Sequence, residues 1–521
     1  MAFSEPSDLP WFLALFNSRV FDDFIALFAG KIGGVQYEAG LIQRLPVPSV
    51  ARERVSATAE HARRGWGFKR ILDTRNETSH AFALPALLQV EGPNLNARIA
   101  SYLRVVREVE AELERIESDI DESCFELYGI DKGDRRRVTE GVGVQAHDAA
   151  LGQTEDAEAA EVANGAYERQ SRISAGALAA ELVGWAVGVV FGRFDVRLAT
   201  SARQLPRDPE PFDPLPLVSP GMLADEDSLP ADSPPVRYQI GLPENGVLVD
   251  DAGDPRDIEG AARAVFNAVF GVHADSWWND TAALLDPKGR GLRTWLGTGF
   301  FDHHVKQYSM SKRKSPILWQ LGTPSGRYAI WLYALRLTPD SLFRVQNDVI
   351  GPKLAFEERA LTRLVQSGGG SVSASESKEI ARQAQFVEEL RAMFDETRRV
   401  SPLWNPDLDD GVVLSMAPLW RLVPQNKTWQ KELKGKWDGL ATGKYDWSHI
   451  AMHLWPERVI PKCVTGRSLA IAHGLEEEFW AEDANGKWAP RQVDNATVER
   501  LVQERSSAAV KWALADLLAA G

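Results

Sequence analysis

Apolar and polar residues recur along this chain in several distinct rhythms. The most regular runs from Asn94 to Tyr128. Leu95, Ile99, Tyr102, Val106, Val109, Leu113, Ile116 and Ile120 follow one another at spacings of four and three. That pattern predicts a helix with a coiled-coil seam. Glu108, Glu110, Glu112, Glu114, Arg104, Arg107 and Arg115 lie off the seam. The seam therefore needs a second helix, from this chain or from a partner. Phe125, Leu127 and Tyr128 cap it, and Gly129 stops it.

Other segments read more coarsely. Leu13, Phe16, Val20, Phe24 and Leu27 predict a helix over residues 10–28, ended by Gly30, Gly33 and Gly34. Residues 41–47 read as a short strand closed by Pro46 and Pro48. A helix is expected near Ser174 to Val190, followed by an irregular, proline-rich stretch from Gln204 to Pro235. Ile317-Leu318-Trp319 and Tyr328-Ala329-Ile330-Trp331 flank a Gly322–Gly326 turn and predict a hairpin. A helix near Lys353 to Val365, a break at Gly368–Gly370 and a helix near Glu376 to Arg399 predict an antiparallel helical hairpin. Ile380, Ala384, Val387, Leu390 and Phe394 give the second helix its apolar stripe. The remainder reads as tryptophan-rich loops with a final helix near Thr497 to Leu518.

These elements predict a multidomain α+β chain with long, coiled-coil-like spacer helices and small mixed α/β modules. The expected divisions are 1–75, a helical spacer over 76–145, a linker over 146–165, a mixed domain with an aromatic hairpin over 166–345, a helical hairpin over 346–400, and a tryptophan-rich domain over 401–521. The linker is inferred from Asp148 to Gly165, which is acidic, alanine-rich and short of large apolar residues. With 521 residues, the chain exceeds one ordinary core.

Charge changes the picture next. The net charge of -14 argues against an indiscriminate nucleic-acid binder. The charges are nevertheless segregated. Acid gathers in 108–126, 155–161 and 225–257, whereas base gathers in 52–75, 306–314 and 427–444. No apolar run reaches membrane-spanning length, and the N-terminus lacks a signal-peptide pattern. Cys124 and Cys463 lie far apart, which argues against a disulfide framework and fits a reducing cytoplasm.

Three basic segments are candidates for contact with DNA phosphates. Lys312, Arg313 and Lys314 stand at the entry of the aromatic hairpin, where the competing role is a solvated strand edge. Lys427, Lys431, Lys434, Lys436 and Lys444 alternate with Trp429, Trp437, Tyr445 and Trp447. Basic groups with stacking platforms suit single-stranded or extruded bases, and a tryptophan-anchored surface loop is the alternative. Arg52, Arg54, Arg63, Arg64, Lys69 and Arg70 either flank a DNA face or decorate an ordinary helix surface.

Catalytic patterns are weaker. Asp407, Asp409, Asp410 and Gly411 fail the EF-hand spacing and read as a turn. Pro406-Asp407 with Glu432-Leu433-Lys434 loosely matches a magnesium nuclease pattern, a spacing that arises often by chance. Asp302, His303 and His304 are candidate metal ligands, with ordinary hydrogen bonding as the competing role.

Several strings carry a resemblance. They are Leu15-Phe16-Asn17-Ser18, Arg70-Ile71-Leu72-Asp73-Thr74, Asn76-Glu77-Thr78-Ser79-His80, Phe191-Gly192-Arg193-Phe194-Asp195, Phe212-Asp213-Pro214-Leu215-Pro216, Ser311 to Ile317, and Leu408 to Val412. Together they resemble the C-terminal region of large adenine-specific DNA methyltransferases of the BREX and DISARM phage-exclusion type. The opening segment, with Gly33-Gly34, Tyr37-Glu38 and Leu45-Pro46-Val47-Pro48, looks like the end of a DNA target-recognition domain. With the spacer helix, it is also similar to type I restriction specificity subunits.

The resemblance implies methyl transfer from S-adenosylmethionine to an adenine amino group. That chemistry uses a glycine-rich cofactor turn and an Asn/Asp/Ser-Pro-Pro-aromatic loop that holds the extruded base. The nearest sequences here are Gly297-Thr298-Gly299-Phe300 and Ser233-Pro234-Pro235-Val236. Valine has no π face, and neither segment follows a buried strand. No catalytic, cofactor or metal residue is therefore assigned. S-adenosylmethionine is expected on a separate catalytic half. The partners implied are double-stranded DNA, a catalytic methyltransferase chain or domain and other defence-system subunits, with no membrane. A non-catalytic protein-interaction scaffold is the alternative.

Overall fold

The heptad helix forms as the pattern predicts. In the computed structural model, residues 8–29, 43–48, 52–140, 173–310 (without 226, 228, 232 and 244), 313–367, 373–484 and 486–519 are described. They fall into two compact units. The first holds residues 1–241, 262–292 and 310–312, and the second 242–261, 293–309 and 313–521. Among the described residues, no helix is long and apolar enough to cross a membrane. Both cysteines are free and buried. The architecture is mixed α and β, with long helices and small sheets.

In the first unit, helices α1 (Leu9–Phe16) and α2 (Arg19–Ala29) replace the single helix expected. The break falls at Asn17-Ser18. Asn17 returns its side-chain amide to the Leu13 carbonyl at 2.8 Å. Ser18 donates to the Leu15 carbonyl at 2.8 Å and accepts from the Phe21 N–H at 3.3 Å. Short polar side chains thus compete with the helix ladder. Helix α3 (Arg52–Asp73) packs along α4 (Leu95–Leu127) and is the partner that the seam requires. Trp11, Leu15, Phe21, Ala59, Ile116 and Ile120 share one buried cluster. Residues 43–48 contain no strand. Gly30, Gly33, Gly34, Tyr37 and Glu38 lie outside the described residues, as does the linker over 148–165.

Every seam residue of α4 is buried. Asn94 caps the helix, accepting the Ala97 N–H at 2.9 Å. Gly129 ends it at φ +66°, a conformation that L side chains rarely adopt. Asn94→Ala is expected to cost about 1 kcal/mol through the lost cap. Amide exchange should quicken in the first turn of α4 and stay unchanged at its far end.

Helix α5 (Ala175–Val190) is apolar on nearly every side and buried accordingly. The segment after it, 204–235, is irregular apart from isolated bridges. Helix α6 (Ile258–Phe270) contributes residues 262–270 to this unit, and α7 (Ala274–Leu285) packs on α4 and α5. Phe270 stacks on Trp277 at 4.2 Å, and the Arg98 guanidinium sits 5.0 Å from the Trp277 ring.

The second unit centres on a three-stranded antiparallel sheet. Strand β1 (Val247–Asp250) pairs with β3 (Ala329–Tyr333), which also pairs with β2 (Leu318–Gly322). The hairpin is as expected, whereas β1 is an addition. All five residues of β3 are buried, which suits its continuous apolar run. Helix α9 (Phe300–Gln307), which follows α8 (Leu292–Thr298), supplies Phe300 and Phe301, which meet Trp331 and Trp319. Helices α10 (Gly351–Ser367) and α11 (Ala374–Val400) form the expected antiparallel hairpin, and Ser373 opens α11 with a capping box. Gly368–Gly370 lie outside the described residues. The C-terminal part is helical rather than loop-rich. Its last helix is two, Asn495–Arg505 and Ala508–Ala519, separated at Ser506-Ser507.

Candidate nucleic-acid interface

The segment expected to be a tryptophan-anchored loop is helix α12 (Lys427–Ala441), capped by Asn426, whose side chain accepts the Trp429 N–H at 3.1 Å. Trp429, Leu433, Trp437 and Leu440 are buried along one side. Their spacings of four, four and three carry the helical signal. Trp429 is held edge-on to Trp319 at 5.4 Å and lies 5.9 Å from Phe301. It bolts the helix to the sheet core. Neither Trp429 nor Trp437 is available to stack on a base. Trp447, 47% exposed, remains open.

The opposite side of α12 is cationic. Lys427, Lys431 and Lys434 are exposed at spacings of four and three, so they share one face. Lys436 is half-buried, with its ammonium 5.5 Å from the Tyr445 ring. The helix carries four lysines against Glu432 and Asp438, a net charge of +2 in a chain of net -14. Lys434 reaches Asp438 at 2.7 Å, and Lys427 reaches Gln430 at 3.2 Å. Exposed pairs of this kind exchange readily for phosphate.

The structure brings a second basic segment to this helix. Residues Ser309–Met310 and Arg313–Lys314 form a short ribbon. The Lys314 ammonium lies 3.7 Å from a Glu432 carboxylate oxygen and 5.2 Å from the Trp429 ring centroid. Lys312 lies outside the described residues, as does the side chain of Arg313.

In the first unit, the basic residues of α3 are largely engaged in ion pairs. Arg63 faces Glu60 at 4.0 Å, Arg64 faces Glu112 at 3.5 Å, and Arg70 binds Asp208 at 3.1 Å. Arg64 ties α3 to the spacer helix. Lys69 is also partnered. Nothing is described of the Arg52 and Arg54 side chains.

The candidate catalytic patterns take structural roles. Asp407 caps and Asp410 ends a short 3-10 turn, and Gly411 follows at φ +82°. Asp410 is buried and accepts the N–H groups of His449 at 2.6 Å and Ile450 at 2.8 Å. It thereby anchors the start of helix α13 (His449–Leu454). Burial raises the Asp410 carboxyl despite those bonds. Glu432 and Lys434 of the loose nuclease pattern sit on α12, facing Lys314 and Asp438. Among the described residues, no group of three His, Cys, Asp or Glu side chains is arranged to hold a metal.

Asp302 accepts the Asn426 amide at 3.2 Å, and so steadies the cap of α12. His304 Nε2 accepts two N–H groups, from Ile317 and Leu318, each at 3.0 Å. That fixes its neutral form at the entry to β2. His303 is pushed down to about 4, by burial first and Lys306 second. Its folded value therefore lies below its unfolded one. Between pH 6.5 and 4, the unfolded chain takes up a proton that the folded chain refuses. Stability should fall as pH drops through that window. His303→Gln is expected to flatten the fall in denaturation midpoint over that range.

Gly297-Thr298-Gly299-Phe300 joins the end of α8 to the start of α9, not a strand to a helix. Ser233 to Val236 is irregular, with Val236 exposed.

Two charge clusters were not visible in the sequence. Arg293 on α8 binds Asp250, Asp257 and Glu259 at 2.5–2.8 Å. Asp446 receives Arg458 at 2.8 Å and Lys462 at 2.6 Å, and its carbonyl accepts from His473 at 2.7 Å. Partners 34 to 43 residues from Arg293 leave no local pattern. Comparison with models of protein families gives no match, and no curated protein matches the chain.

Proposed function

We propose that this chain is the DNA-recognition and scaffold portion of an adenine-specific, S-adenosylmethionine-dependent DNA methyltransferase of a bacterial phage-defence system. A separate catalytic half supplies cofactor and base chemistry. The observation that carries the DNA-binding part is the lysine face of α12, with Lys314 docked beside it. Exposed lysines at helical spacing on a helix anchored by Trp429 position a phosphate backbone without reading its sequence. The recognition of adenine and the methyl-transfer partner rest on the family resemblance. A cytoplasmic setting accords with two buried, free cysteines.

The test is a titration of a fluorescently labelled DNA duplex with the full chain, alone and with the proposed catalytic half. Saturable binding is expected for duplexes of unrelated sequence. Absence of binding in both arrangements contradicts the proposal.

A second reading has its own observation. Leu205, Leu215, Leu217 and Val236 expose apolar side chains on the irregular 204–236 stretch, as a protein-docking scaffold would. Loss of partner capture on replacing these four with serine, with duplex binding undetectable throughout, favours that reading.

A further inference from the structure

The first unit contains a cavity of about 540 Å³ beside α3. That lies within the range of roughly 300–1,000 Å³ typical of small-molecule sites. Trp66, Lys69, Arg70 and Asp73 line it from α3. Their spacings of three, one and three place them on one helix face. Ser79 and His80 line it from the following turn, and residues 209–210 and 212–216 from the proline-rich segment.

Phe212 singles this cavity out. It sits at φ +76° and is 53% exposed. A bulky residue in that conformation is an outlier that costs folding energy, and such outliers cluster at ligand sites. A local turn holds it there. The Glu210 N–H donates to the Asp213 carboxylate at 2.8 Å, and the Asp213 N–H donates to the Glu210 carbonyl at 3.1 Å. The backbone that carries this aromatic side chain is thus held at the cavity wall in a costly conformation.

The lining restricts the ligand. The Arg70 guanidinium lies 5.6 Å from the Trp66 ring and donates through Nε to Asp208 at 3.1 Å. Lys69 adds a second cation on the same face. Both already have partners, so a phosphate binds there by sharing or displacing them. Asp73, Glu210 and Asp213 would repel a simple polyanion, and they suit hydrogen-bond donors. Asp73 is already oriented by the Ser79 hydroxyl. Trp66 and Phe212 suit a flat ring. A ligand that combines one anionic end, a flat ring and ring-borne donors is a nucleotide with an amino-bearing base.

We infer that this cavity binds a nucleotide whose base carries an exocyclic amino group, with phosphate toward Lys69 and Arg70 and the base between Trp66 and Phe212. The nucleotide is either free or part of a single strand. The site is independent of the α12 lysines, so it stands or falls apart from duplex binding.

The test is calorimetry of the full chain with AMP, CMP and UMP. AMP and CMP are expected to bind, and UMP, which has a carbonyl in place of the CMP amino group, to bind at least about tenfold more weakly. Phe212→Gly relieves the backbone conformation, so the fold should persist while AMP affinity falls by about 5- to 150-fold. Lys427→Glu/Lys431→Glu/Lys434→Glu should leave AMP affinity unchanged. Competition between AMP and a short single-stranded oligodeoxyadenylate identifies a strand nucleotide as the ligand. AMP binding without competition identifies the free nucleotide. No heat from AMP at millimolar concentration overturns the inference, as do equal affinities for CMP and UMP or an unchanged affinity in Phe212→Gly.

Discussion

Arg293→Ala is expected to destabilise the second unit by about 3–5 kcal/mol, because it leaves clustered carboxylates without their cation. Arg293 grips Asp257 through two parallel hydrogen bonds, at 2.8 and 2.7 Å, and also reaches Asp250 and Glu259. Asp250 ends β1, while Asp257 and Glu259 open α6. One guanidinium thus joins the sheet edge to two helices. For a unit of this size each kcal/mol moves Tm by about 2–4 °C, which gives a fall of roughly 6–20 °C. The same sheet seats Trp429, so α12 should loosen with it.

The pH dependence has a definite sign. Burial raises the Asp250 carboxyl above its usual range, and Arg293 opposes that rise. A carboxyl raised in the folded state contributes stability that is fully present below its unfolded pKa. That contribution is lost as pH rises through the folded pKa. Removing Arg293 raises Asp250 further. The deficit of Arg293→Ala should therefore be larger at pH 7 than at pH 4, and Asp257→Asn should restore part of it. Equal melting of Arg293→Ala and the native chain at pH 7 contradicts this role.

Reversing charge on the α12 face is the second large effect. Lys427→Glu/Lys431→Glu/Lys434→Glu is expected to remove duplex binding at physiological salt. If each lysine neutralises one phosphate, the dependence of log K on log salt loses about 2.7 units of slope. All three side chains are exposed, and the ion pair that is broken, Lys434 with Asp438, is worth only about 0.3–0.5 kcal/mol. Thermal unfolding should therefore change little. Retained duplex affinity in a folded triple variant removes α12 from the interface.

Local, strongly periodic elements were legible in the sequence. The α4 seam needed only its own spacing, and α3 then supplied the missing half. The aromatic hairpin declared itself through two apolar runs around a glycine turn. Three other features were hidden, each for a physical reason. The polar pair Asn17-Ser18 divides the first helix through side-chain hydrogen bonds that apolar periodicity ignores. Strand β1 has four residues and depends on pairing with β3, more than 75 positions away. Helix α12 was obscured because its tryptophans suggested exposed stacking platforms, although Trp429, Leu433, Trp437 and Leu440 already carried the core periodicity.

The candidate interface was partly legible. Lys427, Lys431, Lys434 and Lys314 were found as basic segments, and the fold places Lys314 beside α12. The cavity beside α3 was not legible as a site. Its walls come from residues 66–81 and 209–216, and the position of Phe212 depends on a backbone angle that sequence does not encode in an obvious way.

Duplex binding by the second unit, as proposed above, rests on phosphate contacts. Its most direct test is the affinity of the full chain for a duplex across a salt series. Phosphate contacts by Lys314, Lys427, Lys431 and Lys434 should give a linear fall of log K with log salt, of slope about -3 to -4. A flat line, or no binding at the lowest salt, contradicts it.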